Sequence, residues 1–102
     1  MNITVQKLKE KMDAGEEFVL IDVREIYEHQ EFNIGGTLIP MGTLPNAMDD
    51  LAQHKDEEVI VYCRSGNRSG MVQQFLLQQG FKNVLNLTGG MLAWADAFGT
   101  GK

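Results

Sequence analysis

The run Val59-Ile60-Val61-Tyr62 passes without a break into Cys63-Arg64-Ser65-Gly66-Asn67-Arg68, and helical spacing begins directly after it. Four successive β-branched or aromatic residues read as a buried strand. From Ser69 to Gln79 the residues Val72, Phe75 and Leu76 share one helix face, and Gly80 supplies the stop. A strand that hands over to a helix through a tight loop is half of a crossover unit, and crossovers connect parallel strands. This one feature therefore points to a layered α/β fold.

The rest of the chain repeats the alternation. Thr4 caps a helix with the apolar face Val5, Leu8 and Met12, Ile3 staples onto Leu8, and Gly15 ends it. Phe18 to Val23 is a second buried strand, and Tyr27 to Glu31 a short helical turn. Asn33 to Pro45 is a loop region with three glycines and both prolines of the chain. Pro45 suits the first turn of a helix whose inner face is Met48, Leu51 and Ala52. Asn83 to Leu87 is a third strand, and Thr88-Gly89-Gly90 turns the chain into a last helix, Met91 to Ala97, carrying Trp94. The expected architecture is a central, mostly parallel sheet with helices on both faces. Residues 1–98 form one domain and 99–102 a flexible tail with nothing to hold it. With 102 residues, 43% of them hydrophobic, the chain can build a core without metals or disulfides.

In such sheets ligands bind beyond the carboxyl ends of strands, which is where Cys63 falls. A loop that curls into a helix N-terminus turns successive backbone N–H groups towards one point. A thiol at that point meets the amide nest, the helix dipole and the charges of Arg64 and Arg68. Such settings lower a cysteine pKa from ~8.5 to roughly 3.5–7.5. Gly66 and Asn67 let the backbone curl, and the hydroxyls of Ser65 and Ser69 can donate to the sulfur or to the helix end. A lone cysteine is often just a small buried hydrophobe. The strand before it, the glycine-bearing loop and the flanking arginines instead point to a functional thiolate.

Charge sharpens this. The net charge is −5, which argues against a general affinity for nucleic acid or anionic membrane, so any anion must be attracted locally. Two of the three arginines lie within the six-residue loop and form a local anion trap whose forks can grip an oxyanion. No apolar run approaches the length of a membrane span. The single cysteine excludes an internal disulfide and suits a reducing compartment, and the first residues contain no apolar leader segment, so a cytoplasmic location is expected. One cysteine and two scattered histidines, His29 and His54, imply no metal site, and both histidines are expected to be solvated. Trp94, Phe75, Met71 and Met91 are expected to pack in the core. The acidic run Asp56-Glu57-Glu58 is expected to be a solvated edge.

Beyond these readings, nearly the whole chain resembles a rhodanese-homology domain. The resemblance is carried by Leu20-Ile21-Asp22-Val23-Arg24-Glu25, by Tyr62-Cys63-Arg64-Ser65-Gly66-Asn67-Arg68-Ser69, by Gly80-Phe81-Lys82-Asn83-Val84, by Leu87-Thr88-Gly89-Gly90-Met91 and by Trp94. It implies a sulfurtransferase with Cys63 as nucleophile and no cofactor. The thiolate would take sulfane sulfur from a donor such as thiosulfate and pass it from a persulfide to cyanide, a thiol or a partner protein. Loop amides and arginines would stabilise the persulfide and orient the donor, while Asp22 and Arg24 would brace the loops. The family's usual Gly-His-Ile-Pro-Gly-Ala segment reads Phe32-Asn33-Ile34-Gly35-Gly36-Thr37 here, without the histidine and the first proline, a change that bears on loop rigidity.

Two alternatives remain open. Cysteine-dependent phosphatases and arsenate reductases of similar fold use five residues between cysteine and arginine, whereas four separate Cys63 from Arg68. That tighter cradle suits one sulfur atom better than a phosphate. A non-catalytic binding or sulfur-carrier module is the other reading, although inactive relatives typically lose the cysteine that this chain keeps.

Overall fold

The computed structural model describes residues 1–100; Gly101 and Lys102, the end of the expected tail, lie outside the described residues. Its elements in chain order are β1 (Asn2–Ile3), α1 (Val5–Asp13), β2 (Val19–Asp22), α2 (Ile26–Glu31), β3 (Thr37–Leu38), α3 (Leu44–Leu51), β4 (Glu58–Tyr62), α4 (Asn67–Gln78), β5 (Asn83–Leu87) and α5 (Gly90–Phe98). Single 3₁₀ turns at Met41–Thr43 and Ala52–His54 flank α3.

The strands form one sheet in the order β1-β5-β4-β2-β3, and every pairing is parallel. Strand β4 runs between β2 and β5, in register Val61 to Ile21 and Val61 to Asn86. A central strand buried on both faces must be apolar throughout, and Val59, Ile60, Val61 and Tyr62 are all buried. Because side chains alternate across a strand, these four divide between two cores. Val59 and Val61 join Ile21, Leu44, Leu51, Val72 and Leu76 beneath α3 and α4. Ile60 and Tyr62 join Ile3, Val5, Leu8, Leu87, Met91 and Trp94 beneath α1 and α5. The three-layer arrangement follows directly from this division.

Local signals place the helix ends. The Thr4 hydroxyl accepts from the Lys7 N–H at 3.1 Å, capping α1, and Ile3 and Leu8 share one core as the staple requires. Pro45 occupies the first turn of α3. Helix α4 begins two residues earlier than its apolar periodicity suggests, because Asn67 and Arg68 form its first turn although neither packs inward. The strands β1 and β3 are two residues long, too short to carry a periodic pattern. Of the side chains expected in the core, Trp94 and Met91 are buried and Phe75 is partly so. Met71 is the exception: it lies on the outer side of α4, 57% exposed.

Candidate active site

The end of β4 delivers Cys63 to the mouth of the sheet, and the next three residues wrap around its side chain. The Gly66 N–H donates to Cys63 Sγ at 3.0 Å, the Ser69 N–H at 3.4 Å and the Ser69 hydroxyl at 3.3 Å. Helix α4 thus points its N-terminal amides at the sulfur, an arrangement that favours negative charge there. Burial of the thiol, which is 1% exposed, opposes ionisation. The hydrogen bonds from the Ser69 hydroxyl and from the N–H groups of Ser69, Gly66 and Ser65 outweigh it, and the Cys63 pKa is lowered from the ordinary cysteine value.

The loop is held from behind by the next helix. The Met91 N–H donates to the Cys63 carbonyl at 2.9 Å and the Leu92 N–H to the Arg64 carbonyl at 3.0 Å, so α5 spends its own N-terminal donors on the loop. Gly90, at φ +54°, allows this approach: a Cβ there would collide with the carbonyls of Cys63 and Arg64. The Thr88-Gly89-Gly90 turn is therefore a buttress of the site as well as a connection.

The arginines are arranged differently from a simple anion trap. Arg68 makes a two-pronged pair with Glu28 of α2, Nη1 to Oε1 at 2.7 Å and Nη2 to Oε2 at 3.0 Å. The Arg68 guanidinium, with a further bond from the Glu25 N–H, pulls the Glu28 pKa down to about 2. Arg68 thus ties α4 to α2 with its charge already matched. Arg64 is exposed and borders an open cleft of about 410 Å³ whose walls include Arg24, Tyr27, Glu28, Met91 and Leu92. Ser65 and Asn67 are exposed at the loop surface, whereas Ser69 is fully buried against the sulfur.

Asp22 and Arg24 form a buried pair at the end of β2. Arg24 donates from Nε and from Nη2 to the two Asp22 oxygens at 2.9 and 2.8 Å, and from Nη2 to the Phe32 carbonyl at 2.7 Å. Its guanidinium lies 5.6 Å from the centre of the Tyr62 ring. Burial alone would raise the Asp22 carboxyl, but the bonds from Arg24 and His29 hold it below the usual range. His29 corrects the expectation of a solvated ring: its Nδ1 lies 2.8 Å from Asp22 Oδ2. Nothing in the spacing of residues 22 and 29 announces this contact, which depends on how α2 folds back. His54 instead pairs locally with Glu57.

The unusual Phe32 to Thr37 segment has its own anchors. The Tyr62 hydroxyl donates to the Gly35 carbonyl at 2.8 Å, and Asn33 makes an Asx turn by accepting from the Gly35 N–H at 2.8 Å. Gly36, at φ +84°, lies so close to Leu20 that a Cβ would sit 2.5 Å from its carbonyl oxygen. The segment is pinned to β2 and β4 by these contacts.

A family model described as the rhodanese-like domain matches residues 4–97. The chain belongs to the rhodanese-like family. This rhodanese-like domain is 48% identical over 93 residues to a Bacillus subtilis protein named "Putative sulfurtransferase YtwF", covering 90% of the chain and 87% of the relative. It is 38% identical over 94 residues to a protein of Allochromatium vinosum named "Sulfurtransferase", covering 91% of the chain and 86% of the relative. It is also 36% identical to the Bacillus subtilis "Putative sulfur carrier protein YrkF", covering 90% of the chain but 49% of that longer relative. Among solved structures, a rhodanese-like domain protein from Staphylococcus aureus superimposes with a TM-score of 0.83 at 32% identity, over 92% of this chain and 91% of that one. Relatives of these names support a sulfur-transfer role for the rhodanese-like domain.

Proposed function

We propose that the domain moves sulfane sulfur from thiosulfate or a related donor to a thiol or cyanide acceptor through a persulfide on Cys63. The observation that carries this reading is the cradle of the Gly66 N–H, the Ser69 N–H and the Ser69 hydroxyl around Sγ. It stabilises a nucleophilic thiolate. The thiolate attacks the outer sulfur of thiosulfate, the new S–S bond forms as the old one breaks, and the electron pair leaves with sulfite. The persulfide anion that remains lies against the same loop amides, which provide electrostatic stabilisation without reorganisation. An acceptor such as cyanide then attacks the outer sulfur and departs as thiocyanate, returning the Cys63 thiolate.

In this reading Arg64, exposed at the edge of the cleft, orients the donor's oxyanion. Arg68, matched by Glu28, shapes the loop, and Asp22 with Arg24 braces the segment opposite. A reducing compartment such as the cytoplasm suits the free thiol, and a protein thiol or protein persulfide is as suitable a partner as a small molecule. Steady-state transfer from thiosulfate to cyanide tests the reading. Wild type is expected to release thiocyanate, with Cys63→Ser reducing the rate at least about a thousandfold. Turnover of an aryl phosphate but not of thiosulfate would overturn it in favour of a phosphatase.

A further inference from the structure

Cys63 Sγ, Ser69 Oγ and Asn86 Oδ1 form a continuous chain. Sγ lies 3.3 Å from Oγ, and Oγ lies 2.5 Å from Oδ1. The Asn86 amide has one orientation here. Its Nδ2 donates to the Gly66 carbonyl at 3.1 Å, so the oxygen must face Ser69. That oxygen can only accept, and the Ser69 hydroxyl owns one hydrogen. While Cys63 is a thiol, both links are satisfied in sequence: S–H donates to Oγ, and O–H donates to Oδ1. Once Cys63 is a thiolate, the sulfur and the amide oxygen compete for the same hydrogen.

We propose that Asn86 is a positioning residue that acts through Ser69, holding the hydroxyl hydrogen in the thiol state and so setting how readily the Cys63 thiolate forms. The proposal rests on Cys63 being the nucleophile of sulfur transfer. Asn86 is suited to the task because it stands on β5, in register with Val61, and both ends of its amide are hydrogen-bonded, to Ser69 and to the Gly66 carbonyl. Among the described residues, the charged and titratable groups on the elements around the thiol are Arg64 in the loop, Arg68 on α4, Glu28 and His29 on α2, and the buried Asp22–Arg24 pair at the end of β2. Strand β5 presents no titratable side chain, and the one carboxylate of α5, Asp96, lies in its last turns. None of these is altered by changing Asn86. The Ser69 hydroxyl also gives the largest of the stabilising hydrogen bonds to the thiolate, so its availability matters.

The test is the Cys63 pKa, read from thiolate absorbance and from the pH dependence of alkylation, without any sulfur donor. Asn86→Ala and Asn86→Leu are made in the wild-type chain and in Ser69→Ala. With Ser69 present, both are expected to lower the pKa by roughly half a unit to one unit, because hydrogen bonding that favours the neutral form is lost. With Ser69→Ala the shift should vanish. Asn86 also holds the Gly66 carbonyl, and a loosened loop would withdraw the Gly66 N–H and raise the pKa. The direction of the shift therefore separates the two roles. If neither variant folds, Asn86→Asp decides: it should raise the pKa clearly more with Ser69 present than absent. Sulfur loading of the same variants, followed by mass, reports separately on the sulfur-transfer reading. An unchanged pKa, a raised one in the Ala and Leu variants, or equal shifts in both backgrounds would overturn the role of Asn86.

Discussion

The donors that hold the Cys63 sulfur sit three and six residues further along the chain, at Gly66 and Ser69. A loop this local is built by backbone geometry, which is why a string of six residues could announce it. What keeps it in shape is not local. The carbonyls of Cys63 and Arg64 are fixed by N–H groups of Met91 and Leu92, and the close approach leaves room only for hydrogen at Gly90. Gly90→Ala is therefore expected to cost at least about 2 kcal/mol, combining left-handed strain with a backbone collision. Gly15→Ala is a control with positive φ but open space around it, and should cost only about 1 kcal/mol. Urea unfolding of the two variants measures the difference. Equal costs would show that the α5 contact does not constrain the loop.

Between elements, the informative contact is the pair of Glu28 on α2 with Arg68 on α4. From the sequence, both loop arginines were expected to form an anion trap beside the thiol, whereas Arg68 is paired with Glu28. That partner could not be read from the sequence, because the two residues are separated by forty positions and neither helix shows a charge pattern that matches them. The same holds for His29 and Asp22, joined only by the return path of α2. The depressed Glu28 pKa makes a definite prediction. A carboxylate whose pKa falls on folding contributes stability above its unfolded value, and that contribution is lost as pH drops through the folded value. For Glu28 the window runs from the ordinary glutamate pKa near 4.5 down to about 2. Glu28→Gln should remove about 1–2 kcal/mol at neutral pH and flatten the acid limb of stability across that window. Chemical denaturation at several pH values checks it, and an acid limb as steep as in wild type would contradict the assignment.

At the scale of the molecule, the layered α/β architecture was legible because its signals are periodic and repeated. Three apolar strands, each followed by a helical pattern, leave few alternatives to a parallel sheet covered on both faces. The expectation of a mostly parallel sheet sharpens to one that is parallel in every pairing. The edge strands escaped notice because two residues cannot show a period. The exposure of Met71 was missed because an apolar side chain on a helix says nothing by itself about which neighbour covers it. In the site, the cradle around the Cys63 sulfur was readable from one continuous stretch. The buttress from α5, the Glu28 partner and the Ser69–Asn86 link depend on parts of the chain that meet only after folding.

In the proposed function, this cradle makes Cys63 a sulfur acceptor. Its most direct test is the intact mass of the protein after incubation with thiosulfate and removal of excess donor. The expected result is a gain of one sulfur atom that is absent in Cys63→Ser and is discharged by cyanide; no gain on a folded, alkylatable Cys63 would overturn the persulfide reading.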